Sequence, residues 1–215
     1  MPGSLRPWTQ IHSSTHVLHV HASVDEWVWA SAVAIAAELR RDLALRPRSR
    51  LLLSGGQTPA PVYRAVSKAP LDWERVDVAL VDERWLQPSD PDSNAHLVRT
   101  HLLQDHAAHA RFETMTQPGR RIEEAVATAN AHARLEACLA VLGMGEDGHA
   151  ASLFPHMSGL AEAMASRTAY VAVDASGCPG GGPWQRRISL TPAGLARAPV
   201  SRLRARSAIR RRCAS

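Results

Sequence analysis

Short apolar runs alternate with longer amphipathic runs along most of the chain, and this alternation restricts the fold more than any other feature. Residues 51–53, 76–81 and 138–142 have the length and apolar character of buried strands. Helical patterning separates them, as in the alanine-rich segment that follows the capping-box spacing of Ser23 and Glu26. Such alternation is typical of βαβ units. The sequence therefore predicts a three-layer α/β fold, Rossmann-like, in which a mainly parallel sheet carries helices on both faces.

The size and composition of the chain fit one domain. Its 215 residues, 45% of them hydrophobic, suffice for a single sizeable core. The sequence contains no apolar run of the roughly 18 residues that a membrane span needs, and Pro2 and Pro7 interrupt the N-terminus where a signal peptide would be apolar. We therefore expect a cytoplasmic protein with no membrane partner. Cys138, Cys178 and Cys213 lie far apart, which predicts free thiols.

The positive charge is concentrated at the C-terminus. The formal net charge is +5, but residues 201–215 contain six arginines and no acidic residue, which leaves −1 for the rest of the chain. A nearly neutral body does not favour a nucleic-acid partner. We accordingly divide the chain into one α/β domain, residues 1–200, and an arginine-rich tail, residues 201–215.

A glycine turn follows the apolar run at residues 51–53. Residues 54–59 have the sequence SGGQTP, and two adjacent glycines before a helix start leave backbone N–H groups free for an anion such as phosphate. A tight turn without a ligand explains this pattern equally well. A nucleotide-binding P-loop is excluded, because no G-K-[ST] follows the glycines.

Residues 82–84 place two carboxylates and a guanidinium after the apolar run at residues 76–81. Because successive strand residues point to opposite faces, Asp82 and Arg84 should share one face and Glu83 the other. Paired acids at a strand end can serve acid–base chemistry or orient an arginine. For such a triplet taken alone, a structural ion pair is the favoured alternative.

Residues 143–148 have the G-x-G-x-x-G spacing of a dinucleotide-binding turn. That fold needs a long helix after the third glycine, whereas Pro155 ends any helix within two turns, so nicotinamide binding is disfavoured. The loop instead presents Asp147 and His149 two residues apart. Histidine is suited to act as a base near neutral pH, and a nearby carboxylate can orient it. The other histidines lack metal-ligand spacing, so no metal site is predicted.

Taken together, these segments resemble the 6-phosphogluconolactonases, a branch of the glucosamine-6-phosphate deaminase-like enzymes. The resemblance rests on three motifs in the family's order: SGGQTP at 54–59, VDERW at 81–85 with DSN at 92–94, and GMGEDGHAASLFP at 143–155. It extends to about Pro199. It implies a parallel-sheet α/β domain that hydrolyses 6-phospho-D-glucono-1,5-lactone to 6-phospho-D-gluconate, in the pentose phosphate pathway, without a cofactor.

The resemblance also implies roles for particular residues. His149 would be the base that activates water, with Asp147 as its neighbour. The substrate and phosphate pocket would contain Gly55, Gly56, Thr58, Asp82, Arg84 and Arg187. Opening a lactone also needs donors for the developing oxyanion, for which we suggest backbone N–H groups of residues 145–149. The expected partner is a phosphorylated sugar lactone, bound by a monomer.

Two alternatives of the same fold stay open. The deaminase branch shares the glycine turn, the acidic pair and the D-G-H loop, but its members resemble one another in a tyrosine after the acidic pair and a glutamate five residues beyond the histidine. Here those positions hold Arg84 and Phe154, and a phenylalanine cannot transfer a proton. The second alternative is a non-catalytic sugar-phosphate-binding protein, because fold alone does not decide function.

The C-terminus departs from the family pattern. After Thr191 that pattern has a helix, an apolar strand ending in glycine and then a lysine, whereas this chain is arginine-rich from residue 202 to 212 and has Lys68 as its single lysine. Burying such a segment as an interior strand would cost several kcal/mol per guanidinium. We therefore expect residues from about 201 onward to be exposed or disordered, with the sheet one strand short, and hypothesise a shifted reading frame or a divergent terminus.

Overall fold

The central element of the molecule is a five-stranded parallel sheet. The structure, a computed structural model, describes residues 10–13, 16–198 and 201–203. Its helices and strands, in chain order, are β1 Gln10–Ser13, β2 His16–His19, α1 Val24–Leu45, β3 Ser49–Leu53, α2 Ala60–Val66, β4 Val76–Leu80, β5 Asp82–Arg84, α3 Asn94–His101, β6 Arg111–Phe112, α4 Ile122–His132, β7 Leu139–Leu142, α5 Leu160–Ala165, β8 Tyr170–Asp174, β9 Arg186–Leu190, α6 Pro192–Leu195 and β10 Ser201–Leu203. Short 3-10 turns lie at Trp73–Arg75, Asp105–His109 and Pro179–Gly181.

The parallel sheet has the strand order β10-β7-β3-β4-β6. Strands β3, β4 and β7 are buried along their whole length, and Leu52 of β3 lies opposite Ala79 of β4 and Ala140 of β7. Continuous burial is what strands covered on both faces show. Helix α1 packs against α2, β3 and β7. The predicted α/β fold with a mainly parallel sheet is thus confirmed.

A second sheet of three antiparallel strands, in the order β5-β9-β8, adjoins the first. The predicted strand at residues 76–81 stops at Leu80, and Val81 connects the two sheets: its N–H donates to the Leu53 carbonyl, and its carbonyl accepts from the N–H of Leu190. Residues 82–84 therefore form a strand of their own rather than an open strand end. In its register with β9, Arg84 lies opposite Arg187.

The helix starts follow the capping rules. The N–H of Glu26 donates to the Ser23 hydroxyl at 3.1 Å, so Ser23 caps α1 as predicted. The return bond of the predicted capping box is displaced by one residue, because the Glu26 carboxylate accepts from the N–H of Ala22, at 2.9 Å, rather than from that of Ser23. Ser93 caps α3 in the same way through the N–H of His96. Among the described residues, no helix is both long enough and apolar enough to cross a lipid bilayer.

The C-terminal expectation is wrong for residues 201–203. These residues form β10, which pairs in parallel with β7, Ser201 opposite Ala140 and Leu203 opposite Leu142. The prediction assumed an interior strand, but β10 ends the order of the described strands, and a strand at that position needs backbone pairing on one side only. The sheet is therefore not short of this strand. Residues 204–215 lie outside the described residues.

Candidate active site

A cavity of about 550 Å³ lies where β3, β4 and β7 end. The carboxyl ends of the strands are where open parallel sheets bind ligands. Seven of the eight predicted site residues line this cavity, namely Gly55, Gly56, Thr58, Asp82, Arg84, His149 and Arg187. The eighth, Asp147, is hydrogen-bonded to His149.

Asp147 and His149 form a pair within one short loop. Nδ1 of His149 lies 2.5 Å from Oδ1 of Asp147, and the same oxygen accepts from the His149 backbone N–H at 3.2 Å. Burial opposes ionisation of Asp147, but hydrogen bonds from His149 outweigh it and lower the pKa of the carboxyl group. With Asp147 ionised, Nδ1 carries the imidazole proton and the lone pair of Nε2 is free to accept one.

The histidine ring is held by packing as well as by hydrogen bonding. The rings of His149 and Phe154 have centroids 4.2 Å apart, and Phe154 is fully buried. A Cβ on Gly145 would lie 2.3 Å from the imidazole, so this position has no room for a side chain. The ring is therefore confined on two sides, and its Nδ1 is engaged by Asp147.

Most of the backbone N–H groups suggested as oxyanion donors form hydrogen bonds within this loop. The N–H of Gly145 donates to the His149 carbonyl at 2.9 Å, and the N–H of Gly148 to the Gly145 carbonyl at 3.0 Å. The His149 N–H is taken by Asp147. These three groups are engaged in shaping the loop, so the suggestion fails for them.

Two arginines from the antiparallel sheet face the same cavity. Arg187 is 6% exposed, donates from Nε to the Trp184 carbonyl at 2.8 Å and from Nη2 to the Gly181 carbonyl, and lies 5.1 Å above the ring of Phe154. Burial lowers the pKa of Arg187, neighbouring Arg84 acts in the same direction, and Asp82 opposes both. Two guanidinium groups so close together in strand register favour a dianionic ligand between them.

Two donors at this cavity are buried without a hydrogen-bond partner among the described residues: Nε of Arg84 and the hydroxyl of Ser54. Arg84 does use Nη1, which donates to the Asp92 carbonyl at 2.5 Å. A buried donor left without an acceptor costs about 1–3 kcal/mol. Such donors are expected at a ligand site, where oxygen atoms of the ligand accept their hydrogen bonds.

The acidic pair divides as predicted, with Asp82 at the cavity and Glu83 on the other face. Asp82 accepts from the Ser152 hydroxyl at 2.6 Å, whereas Glu83 accepts from the N–H groups of Asn94 and Ala95 at 2.8 Å each, at the start of α3. Burial raises the pKa of Glu83 to about 7 against these hydrogen bonds. Neither carboxylate belongs to the ion pairs found among the described residues, so the ion-pair alternative finds no support there.

The glycine turn is shaped by a neighbour that the sequence argument did not single out. Gly56 has a φ of +87°, and a Cβ on Gly55 would overlap the side-chain amide of Asn94, 1.8 Å from its Oδ1. Asn94 also donates to the Asp82 carbonyl at 2.8 Å. Asn94 therefore joins the turn to β5. Its place in the DSN motif was the available signal, but that motif alone assigns it no contact.

The structure also bears on the cofactor alternatives. Residues 150–159 after the glycine loop form turns, and the next helix, α5, begins at Leu160, so Gly148 lacks the long following helix of a dinucleotide site. Within the described part of the chain, no three His, Cys, Asp or Glu residues are arranged to hold a metal ion.

Comparisons with known proteins point to one family. Residues 22–208 match the family model of the glucosamine-6-phosphate isomerases/6-phosphogluconolactonase. A 6-phosphogluconolactonase of Xylella fastidiosa (strain 9a5c) is 50% identical over 179 residues, which cover 81% of this chain and 74% of the relative. One of Pseudomonas aeruginosa is 46% identical over 150 residues, 68% of this chain and 63% of the relative. The crystal structure of a 6-phosphogluconolactonase from Shewanella baltica OS155 superposes with a TM-score of 0.77 at 29% identity, over 84% of this chain and 77% of that one.

Proposed function

The chain belongs to the family of glucosamine-6-phosphate isomerases and 6-phosphogluconolactonases, and on this premise we propose that it hydrolyses 6-phospho-D-glucono-1,5-lactone to 6-phospho-D-gluconate. The reaction is a step of the pentose phosphate pathway. The observation that carries the proposal is one cavity that holds both a carboxylate-oriented histidine and two facing arginines. A phosphorylated ester needs both, a base for water and cations for the remote phosphate.

His149 is the proposed general base. Its free Nε2 takes a proton from a water molecule, and the oxygen of that water adds to the lactone carbonyl carbon. The tetrahedral intermediate then collapses with cleavage of the bond to the ring oxygen, which receives the proton from Nε2 and becomes a hydroxyl group. The new carboxylic acid releases its own proton to solvent. Asp147 holds the tautomer and stabilises the imidazolium formed between the two steps.

Arg84 and Arg187 are the proposed phosphate ligands. Their register across β5 and β9 brings the two cations together, and Nε of Arg84 is a donor without an acceptor among the described residues. Gly55, Gly56 and Thr58 line the same cavity and supply part of its wall. Anchoring the phosphate converts remote binding energy into correct placement of the carbonyl carbon beside the base.

The deaminase alternative finds no support in the site. The side chain between His149 and Arg187 is Phe154, which is fully buried, meets the His149 ring at a tilt of 40° and lies under the Arg187 guanidinium. An aromatic ring there cannot assist ring opening by proton transfer. We further propose a monomeric, cytoplasmic enzyme with no nucleic-acid partner, and the nearly neutral charge of residues 1–200 supports the last of these points.

A rate measurement on the purified protein tests the proposed function. Hydrolysis of the phosphorylated lactone should exceed its spontaneous hydrolysis. For unphosphorylated gluconolactone we expect kcat/KM to be lower by about a hundredfold or more, because the phosphate anchor is missing. Equal kcat/KM values for the two lactones would contradict the assigned role of the arginines. Ammonia release from glucosamine 6-phosphate with no lactone hydrolysis would establish the deaminase alternative instead.

A further inference from the structure

The loop that joins β8 to β9, residues 175–185, reaches the proposed catalytic pair from a distant part of the chain. We call it the glycine-rich loop. It is closed at its base by the hydrogen bond from the Ala175 N–H to the Gln185 carbonyl, at 2.9 Å, and contains the 3-10 turn Pro179–Gly181. Near its end, Trp184 donates from its indole N–H to the carboxylate of Asp92 at 3.0 Å. The loop is therefore tied to the rest of the site on both sides.

Gly180 in this loop lies directly against the Asp147–His149 pair. A Cβ built on Gly180 would lie 2.6 Å from Oδ2 of Asp147 and 3.3 Å from both Cγ of Asp147 and Cε1 of His149. A contact of 2.6 Å to an oxygen is shorter than van der Waals packing allows. A side chain at position 180 would therefore displace the carboxylate or move the glycine-rich loop away from it.

The backbone does not explain the glycine. Gly180 is not among the glycines of positive φ, which include Gly177 and Gly182 of the same loop. An alanine can adopt the conformation of Gly180 without strain. Position 180 therefore has no room for a methyl group, because the carboxylate of Asp147 occupies that space.

The two oxygens of Asp147 are thus held from different directions. Oδ1 receives the His149 ring and backbone N–H, and Oδ2 faces Gly180. The adjoining residue, Gly181, accepts a hydrogen bond from Arg187 through its carbonyl. The glycine-rich loop consequently contacts the base and a proposed phosphate ligand at consecutive residues.

We propose that Gly180 is a positioning residue for the lactonase reaction: by having no side chain, it lets the glycine-rich loop close on Asp147 and keeps that carboxylate in hydrogen-bonding position on His149. The proposal rests on the proposed function of this site. Gly180 also lines the cavity, but the effect proposed for it on catalysis passes through Asp147, and a change in KM would report a direct effect on lactone binding instead.

A double-mutant cycle tests this pathway. Gly180→Ala is introduced into the native enzyme and into Asp147→Ala, where the methyl group no longer meets a carboxylate. In the native background we expect kcat to fall by about tenfold or more with KM changed by less than about threefold, because a misplaced base affects the chemical step. In the Asp147→Ala background the same substitution should change kcat by less than about twofold, since residues acting through one contact are not additive.

The outcomes separate this proposal from the function on which it rests. A native enzyme without lactonase activity would overturn the proposed function itself. With an active native enzyme, full activity of Gly180→Ala would overturn the positioning role. An equal fall in both backgrounds would also overturn it, since that result describes a general disturbance of the loop. Thermal unfolding of all four proteins, measured alongside, should show a folded Gly180→Ala variant.

Discussion

The parallel and the antiparallel sheet contribute different parts of the same cavity. The parallel sheet supplies the loop after β7, where Asp147 and His149 are two residues apart and both partly exposed. The antiparallel sheet supplies Arg84 and Arg187, and Arg187 is buried and hydrogen-bonded to two residues of the glycine-rich loop and to Ser152. The proposed base and its partner therefore come from one short loop, whereas the proposed phosphate ligands are brought together by pairing of strands distant in the sequence.

Because of this difference, substitutions in the two regions should differ in their effects on activity and on the free energy of unfolding. A partly exposed side chain with a local partner contributes little to stability, so its removal should affect the reaction alone. A buried guanidinium that donates hydrogen bonds to carbonyl groups contributes both to stability and to the reaction, because its removal leaves those carbonyls without donors. The two regions should therefore be distinguishable by measuring activity and unfolding on the same variants.

The largest effect is expected at the base. His149→Ala should lower kcat by about a hundredfold or more, the usual contribution of general-base catalysis, and leave the free energy of unfolding within about 1 kcal/mol. The exposed His106, in the 3-10 turn Asp105–His109, provides the control, and His106→Ala should keep full activity. A His149→Ala enzyme with near-native kcat would show that the base lies elsewhere.

Arg187→Ala should lower kcat/KM for the phosphorylated lactone by about tenfold to a hundredfold, and should also destabilise the fold by about 1–3 kcal/mol through the freed carbonyls of Gly181 and Trp184. With unphosphorylated gluconolactone the loss should be less than about threefold. His149→Ala, in contrast, should reduce the rates of both lactones alike, and this contrast tests the division between the sheets.

The neighbouring Arg186 is the matched control for this variant. It lies on the same strand and is exposed. Arg186→Ala should change neither the preference for the phosphorylated lactone nor, by more than about 0.5 kcal/mol, the free energy of unfolding. If Arg187→Ala retained the native preference between the two lactones, the phosphate would have to bind elsewhere in the cavity.

The parallel sheet was predictable from the sequence because its strands carry local signals. Residues 51–53 and 138–142 are apolar throughout, and the glycine turn and the Asp147–His149 loop directly follow them. Adjacent strands in a parallel sheet bring such segments to the same edge. The fold class, the glycine turn and the Asp147–His149 pair could thus be proposed from local patterns, whereas Arg84 and Arg187 were proposed as phosphate ligands only through the family resemblance.

The antiparallel sheet was not predictable in the same way. The break at Val81 depends on hydrogen bonds to Leu53 and Leu190, the latter more than a hundred residues away. The facing of Arg84 and Arg187 depends on the register of β5 and β9. The contact between Gly180 and Asp147 likewise joins distant loops, and no periodicity or motif within either segment indicates it.

Glu83 should make the antiparallel side of the site sensitive to pH. Burial raises its pKa from 4.5 to about 7, so between these values the folded protein holds a proton that the unfolded chain has released. The stability that this proton provides is fully present below about pH 4.5 and is lost as the pH rises through about 7. We expect the free energy of unfolding to fall by about 1 kcal/mol per pH unit within this window.

Glu83→Gln should abolish this slope, because the amide does not titrate, and the exposed Glu123→Gln on α4 should retain it. Denaturant unfolding from pH 4.5 to 8 measures both. A slope that persists in Glu83→Gln would assign the pH dependence to another group. Since Glu83 holds the N–H of Asn94, the position of Asn94 at the glycine turn should change over the same pH range.

The smallest effect is expected at the C-terminus, where two truncations divide the arginine-rich tail. Deleting residues 204–215, which contain five arginines and no acidic residue, should change the free energy of unfolding by no more than about 0.5 kcal/mol. Deleting residues 201–215 also removes β10, leaves one edge of β7 without its backbone partner, and should cost about 1 kcal/mol more. Because β7 leads into the loop of Asp147 and His149, only the longer deletion should also lower kcat. Unfolding of the protein by the shorter deletion would show that residues 204–215 belong to the domain rather than to a separate tail.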